Sequence, residues 1–151
     1  MNCIDNKYII YLKKEDIKNI NFKNKEEVEE LFKKLFLKLK KRYDNINGFF
    51  FITVYLNKNI TVVELEKEES EYEYLSSKID MQIEVLEDSI ILKEYNNINY
   101  IKSNTFYLYN NKYYTKYKDD KDIEFFNIIY GEEVDEILYN SSVCHLKKGM
   151  V

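Results

Sequence analysis

NKEEVEELFKKLFLKLKKRY (residues 24–43), followed by FFFITVYL (49–56) and ITVVELE (60–66), is the part of the chain whose reading decides the architecture. Val28, Leu31, Phe32, Leu35, Phe36, Leu39 and Tyr43 recur at steps of three and four, so they form one apolar stripe on an α-helix. Asn24 followed three residues later by Glu27 has the pattern of a capping box. Acidic side chains from Glu26 to Glu30 crowd the first turns and basic ones from Lys38 to Arg42 the last, which agrees with the helix dipole. Glu29 with Lys33 and Glu30 with Lys34 add pairs at four-residue spacing, each contributing about 0.2–0.5 kcal/mol.

A helix with one apolar stripe needs a surface to cover, and the two runs downstream supply it. Both are rich in β-branched and aromatic residues, and Asn57, Lys58 and Asn59 separate them as the loop of a hairpin. Phe49 to Leu56 is apolar on both faces, as an interior strand would be. On its partner, Glu64, Glu66 and Glu68 alternate outward.

Working outward, Lys7 to Leu12 reads as a first strand. Past the hairpin, Met81, Ile83 and Val85 alternate with Gln82 and Glu84, a turn falls at Glu87 and Asp88, and Ile90 to Tyr95 follows. Ile98 to Ile101, Phe106 to Tyr109 and Tyr113 to Tyr117 read as further strands, with Asn110 and Asn111 in a two-residue turn that requires positive φ. Asp122 is placed to cap a last helix carrying Phe126, Ile129, Val134, Ile137 and Leu138. Gly131 lies either within that helix, the preferred reading, or between a strand and a shorter helix. The fold class expected is α+β: mainly antiparallel sheet, the helix at 24–43 packed on it, and a second helix near the C-terminus. Residues 1–151 form one domain, divisible into 1–68 (strand, helix, hairpin) and 80–145 (meander plus helix), joined around Glu68 to Lys78. In element order alone, the first sixty-six residues resemble the substrate-binding domain of MecA-type adaptors; many α+β modules share that order, and it implies no family.

The composition asks for a discount before any residue type is taken as a signal. The chain has no alanine, no proline, 3 glycines, one arginine (Arg42) and 15 tyrosines, the profile of a very AT-rich genome. A hydrophobic content of 45% over 151 residues is enough for one core. The N-terminus, Met1 to Lys7, lacks the apolar stretch of a secretory signal, and no apolar run approaches the ~20 residues of a membrane helix, so the expected location is the cytoplasm. Cys3 and Cys144 are expected to be reduced there. Charge is segregated: Glu64 to Asp88 holds ten acidic residues and two lysines, whereas Ser89 to Lys118 holds five lysines and one glutamate.

Little of the known chemistry of sites can be assembled from this chain. With His145 as the sole histidine, a His-rich metal site is excluded, and Cys144 beside it diverges too far on a strand or helix to form a dyad. Glycines at 48, 131 and 149 cannot build a phosphate-cradling loop. Asp119, Asp120, Asp122 and Glu124 form an acidic loop that lacks the glycine and glutamate of an EF-hand. No metal, cofactor or catalytic residue is assigned, and no enzymatic activity is expected.

Two constellations remain as candidate partner-binding residues. One is the hairpin with Tyr107, Tyr109, Tyr113, Tyr114 and Tyr117 interleaved with Lys112, Lys116 and Lys118; the other is the acidic row Glu64, Glu66 and Glu68. Tyrosines supply contact area and charge patches choose partners, so the leading expectation is a non-catalytic module that binds another protein, a basic one, as adaptor, inhibitor or assembly subunit. A second copy of the chain, joined through an edge strand, is a further partner. The alternative is single-stranded nucleic acid stacked on Tyr107 and Tyr113 with Lys116 on phosphate, and an enzyme of unrecognised type ranks third.

Overall fold

The computed structural model describes residues 2–4, 7–40, 48–68, 79–118 and 126–145. It is α+β, with two five-stranded, mostly antiparallel sheets and three α-helices among those residues. Contacts divide the chain into two compact units, Met1–Leu56 with Thr61–Glu87, and Asn57–Ile60 with Asp88–Val151. No helix among the described residues is long and apolar enough to cross a membrane.

The first unit contains β1 (Asn2–Ile4), β2 (Lys7–Lys13), α1 (Lys14–Ile17), α2 (Lys25–Lys40), β3 (Gly48–Tyr55), β4 (Ile60–Lys67) and β5 (Ile79–Leu86). The strand order is β1-β2-β4-β3-β5. The expected hairpin forms as β3 and β4, antiparallel, with Ile52 opposite Leu65 and Val54 opposite Val63. Val28, Phe32 and Phe36 of α2 are fully buried against Phe50, Ile52, Val54, Val63 and Leu65, and the rings of Phe36 and Phe50 lie 4.9 Å apart. Strand alternation explains the choice of face, because residues two apart share a side and α2 can cover only one.

β5 was expected to open the second half of the protein, and its place is different. It pairs parallel with β3, bringing Met81, Ile83 and Val85 into rows with Phe50, Ile52 and Val54 beneath α2. Its alternation identifies a strand whose apolar side must be covered, and α2 provides that cover. Most of the joint expected at Glu68 to Lys78 lies outside the described residues.

The start of α2 departs in detail from the capping box. Asn24 Oδ1 does accept from the backbone N–H of Glu26 (3.1 Å) and Glu27 (3.4 Å), but the Glu27 carboxylate accepts the N–H of Asn21 (2.8 Å) and so ties down the preceding loop. Lys33 pairs with Glu30 at a spacing of three (3.8 Å), where spacings of four were expected.

The second unit contains β6 (Leu92–Tyr95), β7 (Thr105–Tyr109), β8 (Lys112–Lys116), β9 (Asn127–Ile129), α3 (Glu132–Asn140) and β10 (Ser142–His145), with sheet order β10-β7-β8-β6-β9, antiparallel throughout. On one face Leu92 and Tyr114 meet Val134 and Ile137 of α3; on the other Tyr95, Ile101 and Phe106 pack with Tyr113 and Phe126. Lys93 is buried, with its ammonium 4.9 Å from the Tyr117 ring centre and 4.6 Å from that of Phe126, where a cation gains from two aromatic faces.

Two expectations are corrected in this unit, and one strand is added. Ile98 to Ile101 is not a strand: Ile98–Tyr100 forms a 3-10 turn because the Asn97 side chain accepts the Asn99 N–H (2.9 Å) and turns the backbone. Gly131 divides strand β9 from the shorter helix α3 and does not lie within one long helix. Its φ of 72° and ψ of −144° belong to a region that residues with a Cβ avoid. Strand β10, which the sequence did not announce, pairs with β7. Asp122 and the acidic loop at 119–124 lie outside the described residues.

Candidate partner-binding surface

The tyrosine-rich hairpin forms as β7 and β8, with Asn110 and Asn111 at φ 48° and 61°, the two positive values its turn demands. Its rings, however, are used inside the fold. Tyr114 and Tyr117 are each 4% exposed. Tyr107 and Tyr109 are half-buried against the α3 side of the sheet, and Tyr113 packs edge-on to Phe106 at 5.7 Å. Lys116 and Lys118 are exposed on this hairpin, whereas Lys112 is tied to Glu94.

Glu94 is the centre of a polar network on the α3 face. One carboxylate oxygen accepts the Tyr114 hydroxyl (2.8 Å), and the other accepts the Lys112 ammonium and the Asn127 amide, both at 3.4 Å. The Tyr109 hydroxyl donates to Glu136 (3.1 Å). Three donors from two other strands converge on one largely buried carboxylate, so the network is satisfied and ties β6 to β8 and β9.

Burial pushes the Tyr114 hydroxyl far above the ordinary tyrosine range, and its hydrogen bond to Glu94 adds to the rise. Tyr109 is raised in the same direction, chiefly by its hydrogen bond to Glu136. In the unfolded chain both phenols ionise near pH ~10, so the stability these groups contribute is present below that pH. It is lost as pH climbs towards their folded values, because only the unfolded state gains by releasing protons there. The unfolding midpoint is therefore expected to fall as pH rises above 10, and Tyr114→Phe should make that fall shallower in a denaturant titration run at stepped pH.

Cys144 is a free, half-buried thiol packed on the Tyr95, Ile101 and Phe106 cluster. His145 points to the other face, where its Nδ1 lies 3.2 Å from the Thr105 hydroxyl. The two therefore stand apart, as strand alternation requires. Among the described residues, no three His, Cys, Asp or Glu side chains are grouped to hold a metal ion.

The acidic row has a different setting. On the face of the first sheet away from α2, the register sets Phe51 directly between Glu66 of β4 and Gln82 of β5, and Thr53 between Glu64 and Glu84. Glu68 continues the row, its N–H donating to the Phe49 carbonyl at 2.9 Å. Phe51 is 42% exposed, and Phe49, half-buried, stands edge-on to it at 5.1 Å. Glu66, Glu68, Gln82 and Glu84 are exposed, while Glu64 is partly covered and holds Lys7 at 3.7 Å. An aromatic strip thus runs between carboxylates on both neighbouring strands.

No protein-family model, curated protein or solved structure matches this chain.

Glu64, Glu66 and Glu68 were legible from their alternation, but Phe51 and Glu84 were not singled out. Phe49 to Leu56 is apolar on both faces, so nothing in the run tells which face α2 covers. Glu84 joins the strip only through the pairing of β3 with β5.

Proposed function

We propose that this chain is a non-catalytic, cytoplasmic protein-binding module that docks a basic partner on the outer face of its first sheet. The carrying observation is Phe51, an exposed phenyl ring on an interior strand, set between Glu66 and Gln82, with Glu68 across from Phe49 and Glu84 across from Thr53 on the same face. A solvent-facing sheet surface is normally polar, and an aromatic anchor ringed by charge is the composition of a binding hot spot. Carboxylates around the ring attract a lysine or arginine from a distance, and the ring face then receives its cation or alkyl stem. The chain's net charge of −4 steers in the same sense. The alternative of single-stranded nucleic acid would rest on Tyr107 and Tyr113, both half-buried, and draws less support.

The test is affinity capture from nuclease-treated lysate, comparing the wild-type chain with Phe51→Ser and with Glu66→Lys plus Glu84→Lys. Basic proteins held by the wild type, released by added salt and lost by both variants, are the expected result. Capture that depends on nucleic acid, or that neither variant weakens, would sink the proposal.

A further inference from the structure

The outer surface of α2 carries a patch complementary to that strip. Leu37 lies outside the buried stripe of the helix and is 60% exposed. Lys33 and Lys34 stand one turn before it and Lys38 beside it, all exposed. Lys33 also touches Glu30, a surface pair at 3.8 Å that leaves both side chains more than half exposed. An apolar centre flanked by ammonium groups on the helix thus complements, in sign of charge, an aromatic strip flanked by carboxylates on the sheet.

From this match we propose that the occupant of the outer sheet face is a second copy of this chain, seated by the Lys33, Lys34, Leu37 and Lys38 surface of its α2. The inference rests on reading that face as a protein-binding surface and names the partner. Leu37 of one copy covers Phe51 of the next, while Lys34 and Lys38 reach Glu66, Glu68 and Glu84. The contact covers the part of that face where Phe51, Glu66 and Gln82 stand exposed; Val62, further along the same face, is already buried. Because α2 packs on one face of the sheet and the strip occupies the other, the two patches point in opposite directions. The contact is therefore heterologous, and copies add head to tail into a ring or an open chain; they do not close as a two-fold dimer. Its ionic component is exposed and weakens with salt.

The experiment uses the full chain and light scattering over a concentration series at low and high salt. Two variants each remove one patch: Lys34→Glu with Leu37→Ser on the helix, and Phe51→Ser with Glu66→Lys on the sheet. The wild type is expected to grow past two copies with concentration at low salt and to return towards 18.4 kDa at high salt. Each variant alone should remain at one copy, and an equimolar mixture should stop at two, because one helix patch and one sheet patch survive in it. Formation of that mixed pair also shows that both variants are folded. A wild type that stays at one copy throughout, or assembly that both variants retain, as pairing through an edge strand would give, overturns the inference. If the wild type stays single yet still captures basic proteins in a manner lost by Phe51→Ser, the inference falls and the protein-binding reading stands; if capture fails as well, both fall.

Discussion

Replacing Phe36 by alanine is expected to remove about 3–5 kcal/mol of unfolding free energy, a large share of the ~5–15 kcal/mol that a domain of this size possesses. Phe36 is fully buried, one helical turn beyond Phe32, and its ring lies 4.9 Å from that of Phe50. Removing it costs the transfer free energy of the ring and leaves a cavity. Phe32, Val28 and the three central strands hold the surrounding walls apart, so the site cannot collapse to fill it. Phe36→Leu keeps most of the volume and should lose less. The neighbouring residue gives the contrast: Leu37→Ala, on the exposed side of the same helix turn, should change stability by no more than ~0.5 kcal/mol. Urea unfolding of the three variants measures this, with a shift in midpoint at unchanged slope. Equal losses for Phe36→Ala and Leu37→Ala would mean that α2 presents a different face to the sheet.

The second large effect is expected at Glu94. Glu94→Ala should cost about 2–3 kcal/mol, since it strands a buried tyrosine hydroxyl and leaves an ammonium and an amide without the acceptor they share. The loss should be cooperative. Once Tyr114 is phenylalanine, the bond of 2.8 Å no longer exists to be broken, so Glu94→Ala made in the Tyr114→Phe background should cost roughly 1 kcal/mol less than in the wild type. Glu94→Gln retains an acceptor and should be milder than alanine. Strict additivity of the two substitutions in a thermal or denaturant series would show that the hydroxyl and the carboxylate do not depend on one another, and the network would lose its role in joining β6 to β8.

These two sites differ in how far the sequence exposed them. Phe36 belongs to a stripe that runs from Val28 to Tyr43, about four turns, and its burial could be read without reference to any other element. Glu94 could not be read that way. It is the one glutamate in a stretch of lysines and tyrosines, and its partners come from strands β8 and β9, which only the folded sheet brings beside it. The tyrosines show the same division. Their alternation with lysine marked a hairpin, and Asn110 with Asn111 marked its turn, yet alternation gives the two faces of a strand without saying which is wet. In a sheet covered on both faces, Tyr114 and Tyr117 became core, and the hydroxyls of Tyr109 and Tyr114 found carboxylates.

The amino-acid sequence by itself determined the elements: the α2 stripe and its asparagine cap, the β3–β4 hairpin, the β7–β8 hairpin and the α+β class. Each of these rests on side-chain periodicity or turn chemistry among residues close together in the chain. Tertiary structure alone decided that β5 returns to lie parallel to β3 and that Phe51 stands between Glu66 and Gln82 in the open. The physical reason is that a strand's pattern states that one side must be covered but not by what, and the neighbour across a ladder is chosen by non-local pairing that no local pattern records.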